Sequence, residues 1–194
     1  MPEAQFKRDI LHSDFEQSME MLRHYDNFHW DITKFCFGQI CVIIGACWYI
    51  YEKTDDSQQV LRVFNRDVPV IALLLILSSL FTLLCIVSLL RNRTYFCKVS
   101  NYINEMRKYG LGDNGLQFNN ESRMWSDRRY PPLRDGLSTQ SLSIYLLALC
   151  MVLSIAIGSS MFFPSHRQAM ASICIGGATI IILMILYCSI LKDR

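Results

Sequence analysis

Four arginines, Arg123, Arg128, Arg129 and Arg134, fall within one short stretch that also holds Trp125 and Tyr130. Guanidinium groups beside aromatic rings suit a small anionic ligand or nucleotide, because the planar fork pairs with phosphate and carboxylate oxygens. The same cluster suits anionic lipid headgroups next to a membrane, where Lys and Arg also fix topology. Both readings stand. Gly110-Leu111-Gly112-Asp113-Asn114-Gly115 has the spacing GxGxxG. A dinucleotide site needs a strand before that motif and a helix after it. Here a helical pattern precedes it and a polar stretch follows, so a helix end and a turn are expected. His12, His24 and His29 lie near Asp26 and Asp31. His24 and Asp26 share no helix face, and His29 is five residues from His24, whereas helical metal ligands recur at three or four. Hydrogen-bonded or solvated histidines are expected and no metal. No nucleophile has a recognisable partner, and there is neither a P-loop nor HExxH. The expectation is a non-enzymatic protein with no cofactor.

A second set of residues recurs at helical spacing inside apolar runs. Gly38, Cys41 and Gly45 form one stripe, with Gln39 beside it. Ser78, Thr82 and Cys85 form another, with Ser88 near it. Ser154 with Gly158, and Ser172, Gly176 and Thr179, form two more. Small and hydroxylated faces let membrane helices approach closely and bond across the contact. Alternatively one of them, foremost that of the second run, lines a narrow pore in an oligomer. These runs carry no charge, whereas proton coupling, ion pumping and intramembrane proteolysis usually place ionisable groups at membrane depth.

The elements that hold these residues follow from hydropathy. The chain has 194 residues, 52% of them hydrophobic, and a mean hydropathy of +0.22. Its formal charge of +2 argues against a nucleic-acid partner. The apolar residues gather in four blocks, giving expected spans at 35–51, 68–90, 138–163 and 170–191. A segment 1–34 precedes them, 52–67 and 164–169 link them on one side, and 192–194 end the chain. The region between the second and third spans divides into a helical extension, 91–109, and a polar, basic loop, 110–137. Fifteen of the nineteen Lys and Arg lie before the first span, between the second and third, or after the fourth. The positive-inside rule then puts both termini and the long middle region in the cytoplasm. The first thirty residues are charged throughout and lack an apolar signal core, so no signal peptide is expected.

The helices are expected to outrun the membrane. From Asp67 to Gly110 the pattern is unbroken, with Asp67 as N-cap, Pro69 in the first turn and Gly110 as the C′ glycine. Tyr95, Phe96, Val99, Tyr102, Ile103 and Met106 mark the apolar face of the extension. A first helix is expected from about Asp14 to Tyr51, opened by a capping box at Ser13–Glu16. Its extension carries Phe15, Met19, Leu22 and Asp26 on one face. The two extensions would run side by side as an antiparallel coiled hairpin. In the linker 52–67, Val60, Leu61, Val63 and Phe64 would lie flat at the outer interface. Eight cysteines without a CxxC pair argue for packing rather than disulfides or zinc. Cys36 and Cys97 sit near the inner interface, where acylation is conceivable. Asn92-Arg93-Thr94 and Asn120-Glu121-Ser122 match the glycosylation pattern but should stay unmodified in the cytoplasm.

FEQSMEMLRHYDNFHWDITKF entering the first span and LLRNRTYFCKVSNYINEMRKYG leaving the second give residues 14–110 a plan that resembles the SLATT-type membrane modules of bacterial conflict systems. That family departs from this chain in its second half, which is not normally another membrane hairpin. The resemblance implies an oligomeric, pore-forming or membrane-perturbing effector that answers a cytoplasmic signal. It also implies a bacterial inner membrane rather than a eukaryotic plasma membrane. The expected fold is therefore an all-α integral membrane protein of four transmembrane helices, N-in and C-in. Its expected partners are the lipid bilayer, further copies of itself, and a cytoplasmic protein or small anionic ligand. An anchor that recruits a cytoplasmic partner through the helical arms is the competing reading.

Overall fold

The computed structural model describes residues 2–53, 60–63, 66–112, 136–162 and 165–190. Four helices dominate: α1 over Pro2–Lys53, α2 over Val70–Gly112, α3 over Thr139–Ser160 and α4 over Ser165–Ile190. Each contains a stretch long and apolar enough to cross a membrane. With 52 and 43 residues, α1 and α2 are about 78 and 65 Å long at ~1.5 Å per residue, each more than twice what a ~30 Å bilayer core requires. The all-α class holds, with one addition: β1 (Val60–Val63) and β2 (Arg66–Pro69) form a small antiparallel hairpin between α1 and α2.

The element boundaries depart from the sequence expectation in physically simple ways. The first helix begins at Pro2 rather than near Asp14, so Ser13 lies inside it and caps nothing. Proline is well suited to a first helical position, where its absent N–H is not needed. Asp67 is not an N-cap: it pairs with Arg62 in the hairpin, and α2 starts at Val70. The ring of Pro69 disfavours helix at the residue before it, and Val68 is accordingly extended, opposite Leu61. Residues 60–63 thus take up a strand in the linker. At the far end, α2 runs past Gly110 to Gly112. The third and fourth helices fall within about five residues of the expected bounds, and α4 begins at Ser165, inside the expected linker.

Named contacts fix the packing. Tyr25 stacks on Tyr95 with ring centroids 5.9 Å apart, Gln39 reaches Ser78, and Arg107 lies over the Phe15 ring at 5.3 Å. α1 and α2 therefore pass each other in opposite directions for most of their length. α3 packs on α2, and α4 packs on α3. The core clusters around Cys36, Ile86, Leu89, Leu90, Ile144, Leu147 and Met151, residues of the first three helices.

Candidate functional site

α2 is the central helix because two of its faces are buried. One holds Ser78, Thr82 and Cys85, which are 4%, 1% and 8% exposed. Ser78 Oγ accepts from Gln39 Nε2 at 2.9 Å, and Cys36 Sγ lies 3.8 Å from Thr82 Oγ1. Thr82 also donates to its own helix at Ser78 O, at 2.9 Å. Within one chain this polar stripe faces α1. The other face meets α3, where Ser79 Oγ lies 3.5 Å from Met151 O. Gly158 is a point of close approach: a Cβ there would stand 3.1 Å from Leu75 Cβ and 3.2 Å from Ala72 O.

The remaining small residues divide. Gly176 and Ser172 of α4 turn toward α3; a Cβ on Gly176 would meet Ala156 and Val152 in ordinary contact, and Ser172 Oγ lies 3.4 Å from Ala156 O. Gly38 and Gly45 of α1 face open space, with nothing within 4 Å of a Cβ built on either. Cys41, between them, is exposed too. Arg123, Arg128, Arg129 and Arg134, and the latter half of the glycine motif, lie outside the described residues. Gly110 and Gly112 close α2. Cys36 and Cys97 are 0% and 3% exposed, so neither presents a thiol for acylation in this fold. Asn92 is equally unsuited to glycosylation, being 4% exposed and donating from Nδ2 to Tyr25 O at 2.8 Å.

A polar junction joins three helices where the apolar run of α2 ends. Arg93 is only 2% exposed. Its Nη1 donates to Gln140 Oε1 at 3.2 Å, and Gln140 Nε2 donates to Asp26 Oδ1 at 3.1 Å. One amide thus links a cation on α2 to an anion on α1 from the first turn of α3. Ser138 caps that turn, its Oγ accepting from Ser141 N at 3.2 Å. His29, fully buried, lies 2.8 Å from Ser143 Oγ through Nε2. Ser143 Oγ spends its own proton on Gln140 O at 2.8 Å. It must therefore accept from His29, which assigns the imidazole proton to Nε2 and leaves Nδ1 as a bare lone pair. That Nδ1 is buried without a hydrogen-bond partner.

The sequence places Arg93 at the flank of a span and sets the extension's apolar face at Tyr95, Phe96, Val99, Tyr102, Ile103 and Met106. Ile103 and Met106 are buried as expected, but Tyr95 and Tyr102 are exposed, and Arg93, Cys97, Ser100 and Asn104 join the buried face instead. The signal was present: Ile86, Leu90, Arg93 and Cys97 recur at helical spacing, so Arg93 continues the buried face of the span. His29 is the hydrogen-bonded histidine that was expected. Groups of three or more metal-binding side chains are absent among the described residues.

His29 titrates below the usual histidine value of 6.5: burial is the main cause, Arg93 adds to it, and Asp26 opposes it. The geometry agrees, because a proton on Nδ1 would be a buried donor with no acceptor. The folded state therefore binds a proton less readily than the unfolded chain. Stability is full above 6.5 and is lost as the pH falls below it toward the folded value. The melting temperature in detergent is expected to drop on acidification from about pH 8 to about pH 5.5, and His29→Gln to remove most of that drop. A variant that keeps the full acid sensitivity would relocate its source away from His29.

Comparison of the chain with protein-family models, with curated proteins and with solved structures found no match.

Proposed function

We propose that this chain is a non-enzymatic, oligomeric membrane effector, controlled through the arms that α1 and α2 extend beyond the membrane, with the arms and both termini in the cytoplasm. The observation that carries the reading is the Asp26–Gln140–Arg93 junction. It ties both arms to the first turn of α3, so a displacement of the arms is transmitted to the α3–α4 hairpin rather than absorbed at a flexible joint. The polar stripe of α2 is occupied within the chain, so a conducting path would form between copies. Gly38, Cys41 and Gly45 supply the small, open face along which α1 of one copy can approach the next.

A second reading has its own support. The arms expose Met21, Phe28, Tyr95 and Tyr102, each more than 40% accessible. Aromatic and Met side chains of this kind are enriched where proteins meet, which favours an anchor that recruits a cytoplasmic partner.

The mass of the complex in native nanodiscs separates the two. The effector reading expects a closed oligomer for the wild-type chain. Gly38→Leu combined with Gly45→Leu is expected to dissociate it while leaving monomer stability unchanged, since neither side chain would meet anything within its own chain. A wild-type monomer would sink the oligomer and leave the anchor.

A further inference from the structure

A half-enclosed cavity of about 440 Å³ runs between α2 and α4 across the surface of α3. Midway along α4, Gly176 brings the helix close to Ala156 and Val152 of α3. Beyond it, α2 and α4 both rest on α3 and barely touch each other. The walls are apolar: Val87 and Leu90 from α2, Ile144 and Ala148 from α3, Leu183 and Met184 from α4. On α4 the lining spans Ile180 to Cys188, about 12 Å of helix at ~1.5 Å per residue. That is close to half of a ~30 Å bilayer core, the depth of one leaflet.

One end of the groove is polar. Tyr145 and Tyr187 bring their hydroxyls to 3.4 Å, and the Tyr145 hydroxyl is 3.6 Å from where a Cβ on Gly136 would stand, just before α3 begins. The phenol pair therefore sits at the mouth, at the level where the apolar run stops. Arg91 is exposed. It lies just beyond the lining, following Leu90 and standing one helical turn past Val87, both of which line the groove. The wall is thus apolar along one leaflet and ends in two hydroxyls, with a cation one residue beyond it on α2.

We infer that this groove binds one acyl chain of an anionic lipid, with the headgroup held at the Tyr145–Tyr187–Arg91 end. The polarity of the groove selects the occupant. An apolar wall about one leaflet deep that ends in paired hydroxyls matches a hydrocarbon chain with a polar head. Every lipid in the leaflet offers such a chain, so the preference must come from the headgroup, and Arg91 selects negative charge.

The test uses the full chain, delipidated in mild detergent, with native mass spectrometry after adding phosphatidylglycerol or phosphatidylcholine carrying palmitoyl chains. One phosphatidylglycerol per chain is expected to be retained, with a preference over phosphatidylcholine of about fivefold, which corresponds to the ~1 kcal/mol of one cation near an anionic surface. Ala148→Phe fills the floor of the groove and should abolish retention of both lipids, with a melting temperature no lower than that of the wild type as its folding control. Arg91→Gln alters an exposed side chain and should equalise the two lipids without preventing binding. If Ala148→Phe leaves retention unchanged, the bound lipid lies elsewhere and the site is overturned. If the wild type retains neither lipid, or both equally, the anionic-lipid assignment is overturned.

Discussion

Replacing Arg93 by Met is expected to destabilise the protein by about 3 kcal/mol, more than any other single charge removal among the described residues. The magnitude follows from what is left behind. Taking one partner out of a buried ionic arrangement usually costs ~3–5 kcal/mol, because the other partner stays desolvated and uncompensated. Here Gln140 would lose its donor, and Asp26 would lose the cation that Gln140 relays to it. Asp26 is half-buried and retains some water, which places the expected loss at the lower end of that range. Arg93→Lys keeps the charge but not the fork, and should recover only part of the loss. The measurement is unfolding of the purified protein in detergent, with Asp26→Leu and the Arg93→Met/Asp26→Leu double variant closing the cycle. The double variant should cost less than the two singles together, because removing both charges leaves neither exposed to an apolar neighbour alone. An Arg93→Met protein within about 0.5 kcal/mol of the wild type would mean that Arg93 behaves as a surface residue, and the link from arms to hairpin would lose its basis.

Gly158→Leu should separate α3 from α2. A Cβ at this position stands 3.2 Å from the Ala72 carbonyl oxygen and 3.1 Å from Leu75 Cβ. Neither is the far end of a flexible side chain, so the helices themselves must move. Even Gly158→Ala is expected to cost about 1–3 kcal/mol, the usual penalty for overpacking a close contact, against a small gain in helix propensity. The leucine should cost more and leave Ser79 without Met151 O as a neighbour. Gly177→Leu is the control: nothing lies within 4 Å of its Cβ position, so its stability should match the wild type. If Gly158→Ala is as stable as the wild type, α2 and α3 do not pack this closely in the membrane.

Much of this protein was legible in its sequence because a bilayer imposes simple rules. A run of about twenty uncharged residues must be helical, since no water is present to satisfy its backbone. The four spans of the sequence reading, the length of α2 beyond its span, and the face of α1 that holds Phe15, Met19, Leu22 and Asp26 needed nothing more. The hairpin between α1 and α2 was missed because four-residue strands leave too short a pattern to distinguish from a loop. The face of α2 beyond the membrane was right at Ile103 and Met106 and wrong at the tyrosines, for a different reason. Aromatic residues drew the apolar stripe to Tyr95 and Tyr102, but aromatic rings serve equally well on an exposed surface. Tyr95 in fact uses its ring to stack on Tyr25 from the outside of the pair.

The sequence by itself determined the four long apolar helices, where they stop being apolar, and which small or polar residues share a face. Those properties depend on neighbours three or four residues away, and one-dimensional periodicity records them. It did not determine what those faces meet. Ser78 and Thr82 had the right spacing for a pore or for a helix contact; tertiary packing set them against Gln39 and Cys36. Arg93 looked like a topological flank, and became an interior cation only because Gln140, 47 residues away, supplies an acceptor there. A buried charge is tolerable only if its partners arrive together, and here they come from two other helices, α1 and α3. That coincidence is a property of the fold, invisible to any window along the chain.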